Sequence, residues 1–285
     1  MSSLKEISSI KLFNGYQKRY SHYSFTNDWE MKFSIYLPPK ALKGDQCPVM
    51  LWLTGRTLGE WGFTNKSGIQ RFAAKEGIII AAPEPTPRGI EVKGEDGELP
   101  YGSQFGYYVD STVDPWSKHY QMYSYIVNEF YQLLTSTNFP VKSNLIGLSG
   151  HSMGGTAAIP IALRNPDKFV SVTSMSGDYN PIATEGGSKI LSTYLGENKD
   201  NWENYDSTKV INSYTGPERT IFVDLGGSDP VLDDFSQAPL LKACRGTNIS
   251  LDYRIRHGYH HAYEFIQTFI EDHLLYHKKI FSTLI

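Results

Sequence analysis

Cysteine is almost absent from this chain: Cys47 and Cys244 are the only two among 285 residues, far apart and outside any Cys-x-x-Cys or Cys/His ligand spacing. That excludes a disulfide framework and a structural zinc centre, and leaves two reduced thiols. Long apolar runs are missing too. No segment offers the roughly 18 consecutive apolar residues of a membrane span, and the opening stretch, MSSLKEISSIKLFNGYQKRY, holds no apolar h-region. A cytoplasmic protein without membrane contact is expected. Blocks of one charge are also lacking. The formal net charge of −3 arises from interspersed Lys, Arg, Asp and Glu, which argues against nucleic acid as a partner. No internal repeat, low-complexity tract or interdomain linker breaks the sequence.

What is present is a large apolar complement, 40% hydrophobic and 13% aromatic, enough for one α/β domain spanning residues 1–285. Short runs rich in β-branched and aromatic residues at 33–37, 49–53, 78–82, 145–148, 170–175, 220–225 and 251–255 read as strands. Helical spacing occupies 68–75, 119–134, 153–164, 238–243 and 261–277. Strand and helix in alternation predict a mostly parallel central sheet with helices on both faces. An antiparallel edge formed by the first strands is the alternative at that end, because Pro38 and Pro39 stop one strand abruptly. Two stretches without periodicity, 84–115 and 178–208, read as binding loops or excursions over a site.

The run Gly150-His151-Ser152-Met153-Gly154 sits directly after one of these strands and directly before a helix. Gly-x-Ser-x-Gly alone can be a tight turn whose serine caps the helix. The strand-to-helix setting makes it a nucleophile elbow, the sharp turn that lifts a serine hydroxyl above a sheet, with glycines where a side chain would strike neighbouring backbone. A serine there lies at the positive end of the helix dipole, so the N–H of Met153 is the first candidate donor to an oxyanion.

A serine hydroxyl needs an imidazole to take its proton and a carboxylate to orient that imidazole. In this fold class the chain order is serine, acid, histidine. Asp229, in the Gly-Gly-Ser-Asp-Pro loop after the strand at 220–225, is the acid. Asp224 lies within that strand, and Asp233 and Asp234 fall where they would cap the next helix. The histidine comes from His257, His260 or His261, between the last strand and the last helix, and spacing does not separate His260 from His261. His273 and His277 fall on the last helix and are expected at the surface.

These motifs, together with Lys66-Ser-Gly-Ile-Gln-Arg-Phe-Ala-Ala74, Tyr107-Tyr-Val-Asp-Ser-Thr112, Asp114-Pro-Trp116 and Gly258-Tyr-x-His-x-Tyr-x-Phe265, resemble the S-formylglutathione hydrolase (esterase D) family over nearly the whole chain. The resemblance implies an α/β-hydrolase fold and a serine esterase or thioesterase that hydrolyses S-formylglutathione, a step of formaldehyde detoxification. Its partner is then a small acyl ester or thioester, and its chemistry requires no metal or organic cofactor. Carried over by position, the family's serine falls on Ser152, its acid on Asp229 and its histidine on His261. The second oxyanion donor falls on the backbone N–H of Arg56, and the resemblance also implies a homodimer.

The chain departs from the family around the expected pocket. Arg56-Thr57-Leu58-Gly59 replaces the family's Leu-Thr-Cys-Thr, His260 stands where Asp usually precedes the histidine, and Gln104 and Phe105 replace small residues. Gly55, Leu58, Phe105, His151 and His260 are therefore the residues expected to line the substrate pocket. These departures keep a specialised carboxylesterase or acyltransferase open as an alternative, with a non-catalytic ligand-binding homologue as a third.

Overall fold

In the computed structural model, residues 3–56, 59–93, 105–136, 138–230 and 237–284 are described. All seven strands expected above are present, and they belong to one sheet. The strands are β1 (Lys5–Leu12), β2 (Gly15–Ser24), β3 (Trp29–Leu37), β4 (Cys47–Leu53), β5 (Ile79–Pro83), β6 (Val141–His151), β7 (Ser171–Met175), β8 (Arg219–Gly226) and β9 (Ile249–Arg256). Their spatial order is β1-β2-β3-β5-β4-β6-β7-β8-β9. The pairings from β5 through β9 are all parallel, whereas β1, β2 and β3 join the sheet antiparallel. The sheet is thus mostly parallel with an antiparallel edge, and both readings of its first strands are reconciled.

Two strands, β1 and β2, went unread in the sequence. They carry few apolar side chains: β1 is exposed along most of its length, and its Ile7 and Ile10 face solvent. They are paired through a two-residue turn, Phe13 and Asn14, both at positive φ, the backbone that lets a tight hairpin follow the twist of its strands.

The buried sheet faces explain the layers. On one side, Ile126, Phe130, Leu134, Ile159 and Leu163 from the helical segment around residues 122–135 and the helix Met153–Arg164 pack on Ile35, Leu51 and Leu148. On the other, Phe265, Ile266, Ile270 and Leu274 from the helix Tyr263–Thr283 pack with Trp52, Phe63 and Ile80. Near-complete burial of β5 and β7 follows from helices on both faces.

His273 and His277 correct the sequence reading. Neither is at the surface; both are completely buried on the sheet-facing side of the last helix. His277 lies between Ser149 Oγ at 2.7 Å and Ser171 Oγ at 2.6 Å. His273 stacks on Phe222 and stands 3.3 Å from Asp224 Oδ2. Hydroxyls projecting from the sheet satisfy both nitrogens of His277, and a sheet carboxylate stands beside His273, partners that helical spacing alone does not reveal. Gly147 makes the room: a Cβ there would come within 2.2 Å of His277 Nδ1.

Chain order also fixes where the site must lie. The chain crosses from β4 to β5 on one side and continues to β6 on the other, so β4 and β6 border the reversal point of the sheet. Crevices at such points, beyond the carboxyl ends of the strands, receive ligands in open α/β sheets.

Candidate active site

Four loops converge beyond those strand ends. Ser152 follows β6 directly and occupies φ 56°, ψ −121°, a conformation side chains rarely adopt. The turn is held by close packing rather than by a cap: a Cβ on Gly150 would lie 2.3 Å from Gly154 O, and one on Gly154 would lie 2.0 Å from Leu53 O. Neither position has space for any side chain. The Ser152 N–H donates to Met175 O at 2.9 Å, tying the turn to the end of β7.

The Ser152 hydroxyl donates to His261 Nε2 at 2.8 Å, and His261 Nδ1–H donates to Asp229 Oδ2 at 2.7 Å. The carboxylate can only accept, which puts the imidazole proton on Nδ1 and leaves Nε2 as the acceptor. Asp229 is almost fully buried, while His261 keeps partial access to solvent. The preceding residue, His260, turns away: it is exposed, and its Nδ1 meets the Ser228 carbonyl at 2.7 Å.

The loop after β4 passes against the serine. A Cβ on Gly55 would sit 3.1 Å from Ser152 Cβ, so the adjoining peptide of Arg56 borders the space above the hydroxyl. This loop is anchored on both sides. Tyr108 OH donates to Thr54 O at 3.0 Å, and the fully buried Glu60, just beyond, accepts from Arg19 Nε at 2.6 Å and Ser34 Oγ at 2.7 Å. Met153 opens the helix Met153–Arg164, and the first N–H groups of a helix have no acceptor within it. The positive end of that helix lies at Ser152.

His151 lies beside His261 with ring centroids 4.6 Å apart. Burial, reinforced by the neighbouring His261, pushes its pKa down to about 3. It stays uncharged when its neighbour takes up a proton, so no fixed positive charge opposes that step.

A cavity of about 640 Å³ opens from Ser152, and Arg56, Phe105, Met153 and His261 are part of its wall. The Arg56 guanidinium lies over the Phe105 ring at 4.7 Å. Of the expected pocket residues, Phe105 is on the wall; Gly55 and His151 lie behind the serine; His260 is a correction, because its bond to Ser228 directs it outward. Leu58 and Gln104 lie outside the described residues, as do Asp233 and Asp234.

The opposite wall comes from the 178–208 stretch expected over the site, but the sequence reading missed that it is helical: the helix Glu185–Leu195 contributes Gly186, Gly187, Ile190 and Leu191. Two glycines in its first turn hide the helix in a stretch that reads as loop. Its available signal was Thr184, whose side chain caps it by accepting the Gly187 N–H at 3.1 Å.

Strand, strained serine turn, helix and a histidine backed by a buried carboxylate define the serine esterase class of α/β-hydrolases. The Esterase family model, described as "Putative esterase", matches residues 24–276. The chain is 42% identical to the S-formylglutathione hydrolase of Bos taurus over 97% of its own length and 98% of the relative's. It is also 42% identical to that of Arabidopsis thaliana, with 97% of each chain covered. The structure of an S-formylglutathione hydrolase from Agrobacterium tumefaciens superimposes with a TM-score of 0.92 at 34% identity, covering 96% of this chain and 99% of that one. The chain belongs to the S-formylglutathione hydrolase family of esterases. Among its described residues, no helix is long and apolar enough to cross a membrane.

Proposed function

We propose that this chain hydrolyses S-formylglutathione to glutathione and formate through a formyl-enzyme on Ser152, and cleaves small acyl esters by the same route. The observation that carries the reading is the continuous hydrogen-bonded line from Ser152 Oγ through His261 to Asp229, at 2.8 and 2.7 Å. As Ser152 Oγ bonds to the carbonyl carbon, its proton passes to His261 Nε2. The oxyanion is held by the N–H groups of Met153 and Arg56, while Asp229 stabilises the imidazolium. The carbon–sulfur bond then breaks, and the leaving thiolate takes the proton from His261. A water molecule gives its proton to the same nitrogen and attacks the formyl carbon, and that proton returns to Ser152 as formate leaves.

Arg56 supplies a planar positive charge at the cavity wall, suited to a carboxylate of glutathione. A cytoplasmic location and a homodimer belong to the same proposal. The first is supported by two free thiols, Cys47 and Cys244, the second by family resemblance, and light scattering at the mass of a single chain would remove it. The activity is tested by measuring formate release from S-formylglutathione beside cleavage of p-nitrophenyl acetate. Rapid formate release is expected; brisk ester cleavage with no formate would reject the thioester assignment.

A further inference from the structure

Asp229 must hold its carboxylate against His261, yet the residues beside it are poorly packed: Gly227, Ser228 and Pro230 are all exposed. Burial of its neighbours does not fix this loop. The loop that carries His261 has anchors of its own. At its start Arg256 donates to both carboxylate oxygens of Asp224, at 2.9 and 2.8 Å, and to Asp272 Oδ2 at 2.7 Å. Further on, the Tyr259 ring packs edge-on against Phe269 with centroids 4.7 Å apart. The acid loop takes its position from this firmer neighbour. The Gly227 N–H donates to Arg256 O at 2.8 Å and the Ser228 N–H to Tyr259 O at 2.9 Å. A Cβ on Gly226 would lie 2.6 Å from Tyr259 O, so the two loops run in backbone contact.

A further bond between the loops comes from a side chain. His260 Nδ1–H donates to Ser228 O at 2.7 Å; a carbonyl only accepts, so this nitrogen carries a proton whether the ring is neutral or charged. The carbonyl belongs to the peptide group that leads into Asp229. The other end of that peptide, the Asp229 N–H, donates to Gly226 O at 3.2 Å. Two ties therefore run side by side: His260 holds Ser228, and the next residue of each loop, His261 and Asp229, makes the 2.7 Å bond that the reaction uses. We propose that His260 is a positioning residue, whose bond fixes the Ser228–Asp229 peptide and, through it, the carboxylate that orients His261. Small displacements of such a group are costly to rate. The inference rests on the Ser152–His261–Asp229 line of the proposed mechanism and holds for whichever acyl donor that line serves.

Three substitutions separate the donor from the ring. Asparagine places an N–H the same number of bonds from the backbone as Nδ1, aspartate places an oxygen that only accepts, and alanine places nothing. His260 is exposed, so all three proteins should fold. With p-nitrophenyl acetate, His260→Ala and His260→Asp should lower kcat by roughly three- to tenfold, the range of one net hydrogen bond, with KM changed by less than about twofold. His260→Asn should stay within about twofold of wild type in both constants. The low-field proton resonance of His261 Nδ1–H reads the geometry itself: it should shift or broaden in the Ala and Asp variants and persist in the Asn variant. A merely structural role would move thermal midpoints without this dependence on a donor. Wild-type kcat in the Ala or the Asp variant would overturn the assignment, as would a loss in His260→Asn equal to that in His260→Ala, or a loss confined to KM. Formate release from S-formylglutathione should fall by the same factors as ester cleavage. A wild-type enzyme that cleaves the ester and releases no formate would reject the thioester reading alone, and the comparison at His260 would still stand on the ester.

Discussion

Two serine–histidine pairs flank the end of β6, and by distance they are nearly the same. Ser152 Oγ lies 2.8 Å from His261 Nε2, and Ser149 Oγ lies 2.7 Å from His277 Nε2. Their surroundings differ in every respect that matters for chemistry. The second nitrogen of His261 faces the carboxylate of Asp229, which stabilises a positive imidazole; that of His277 faces another hydroxyl, Ser171. Ser152 stands on a strained turn at the mouth of a cavity, whereas Ser149 and His277 are sealed between sheet and helix. Burial, followed by the repulsion of His273, pushes the His277 pKa down to about 3. A ring that resists protonation in this way is a poor general base. Hydrogen-bond length alone does not make a nucleophile: a counter-charge, oxyanion donors and access must accompany it.

Substitutions can break this contrast. The largest effect is expected from Ser152→Ala, which should lower kcat by about 10⁴-fold or more. Ser149→Ala should leave kcat near wild type while costing about 1–3 kcal/mol of stability, because His277 and Thr173 lose their partner. Urea unfolding and ester turnover on the two variants measure both, and an inactive but stable Ser149→Ala protein would reverse the assignment. Asp229→Asn comes next, with a loss approaching about 10⁴-fold in kcat, since an amide neither fixes the imidazole tautomer nor offsets its charge. A rate within a few-fold of wild type would remove Asp229 from the mechanism.

The buried pair should show itself in stability. A histidine held below its ordinary pKa binds fewer protons folded than unfolded, so its contribution is present above about pH 6.5 and is lost as pH falls toward 3. The free energy of unfolding should decline across that window, with a slope of up to about 1.4 kcal/mol per pH unit for each such histidine, and thermal midpoints should fall with it. His273 and His151, whose pKa values are also lowered chiefly by burial, act in the same direction. His277→Asn should be less stable at neutral pH but lose less on acidification; an unchanged slope would show that His277 is not a source. The smallest effect is assigned to Arg56→Ala, roughly tenfold in the preference for anionic over neutral esters. Equal changes for both classes would mean that the guanidinium does not read substrate charge.

The same contrast explains how far the sequence could be read. The strands β4, β5 and β8 and the end of β6 were legible because burial on both faces makes them apolar runs, and the elbow because glycine is required on both sides of Ser152. The edge hairpin was not, since β1 buries almost nothing. His273 and His277 were misplaced because a histidine on a helix carries no sign of its partners; Ser149, Ser171 and Asp224 come from other strands. Spacing left His260 and His261 equivalent, and resemblance to the family favoured His261. In the structure His261 faces Ser152, and His260 faces the Ser228 carbonyl.

The most direct test of the contrast is to inactivate the enzyme with a fluorophosphonate and map the adduct by fragmenting the peptide that contains both Ser149 and Ser152. Modification at Ser152 alone, abolished in Ser152→Ala and retained in Ser149→Ala, is the predicted result. An adduct on Ser149, or full activity in a protein modified at Ser152, would contradict the account.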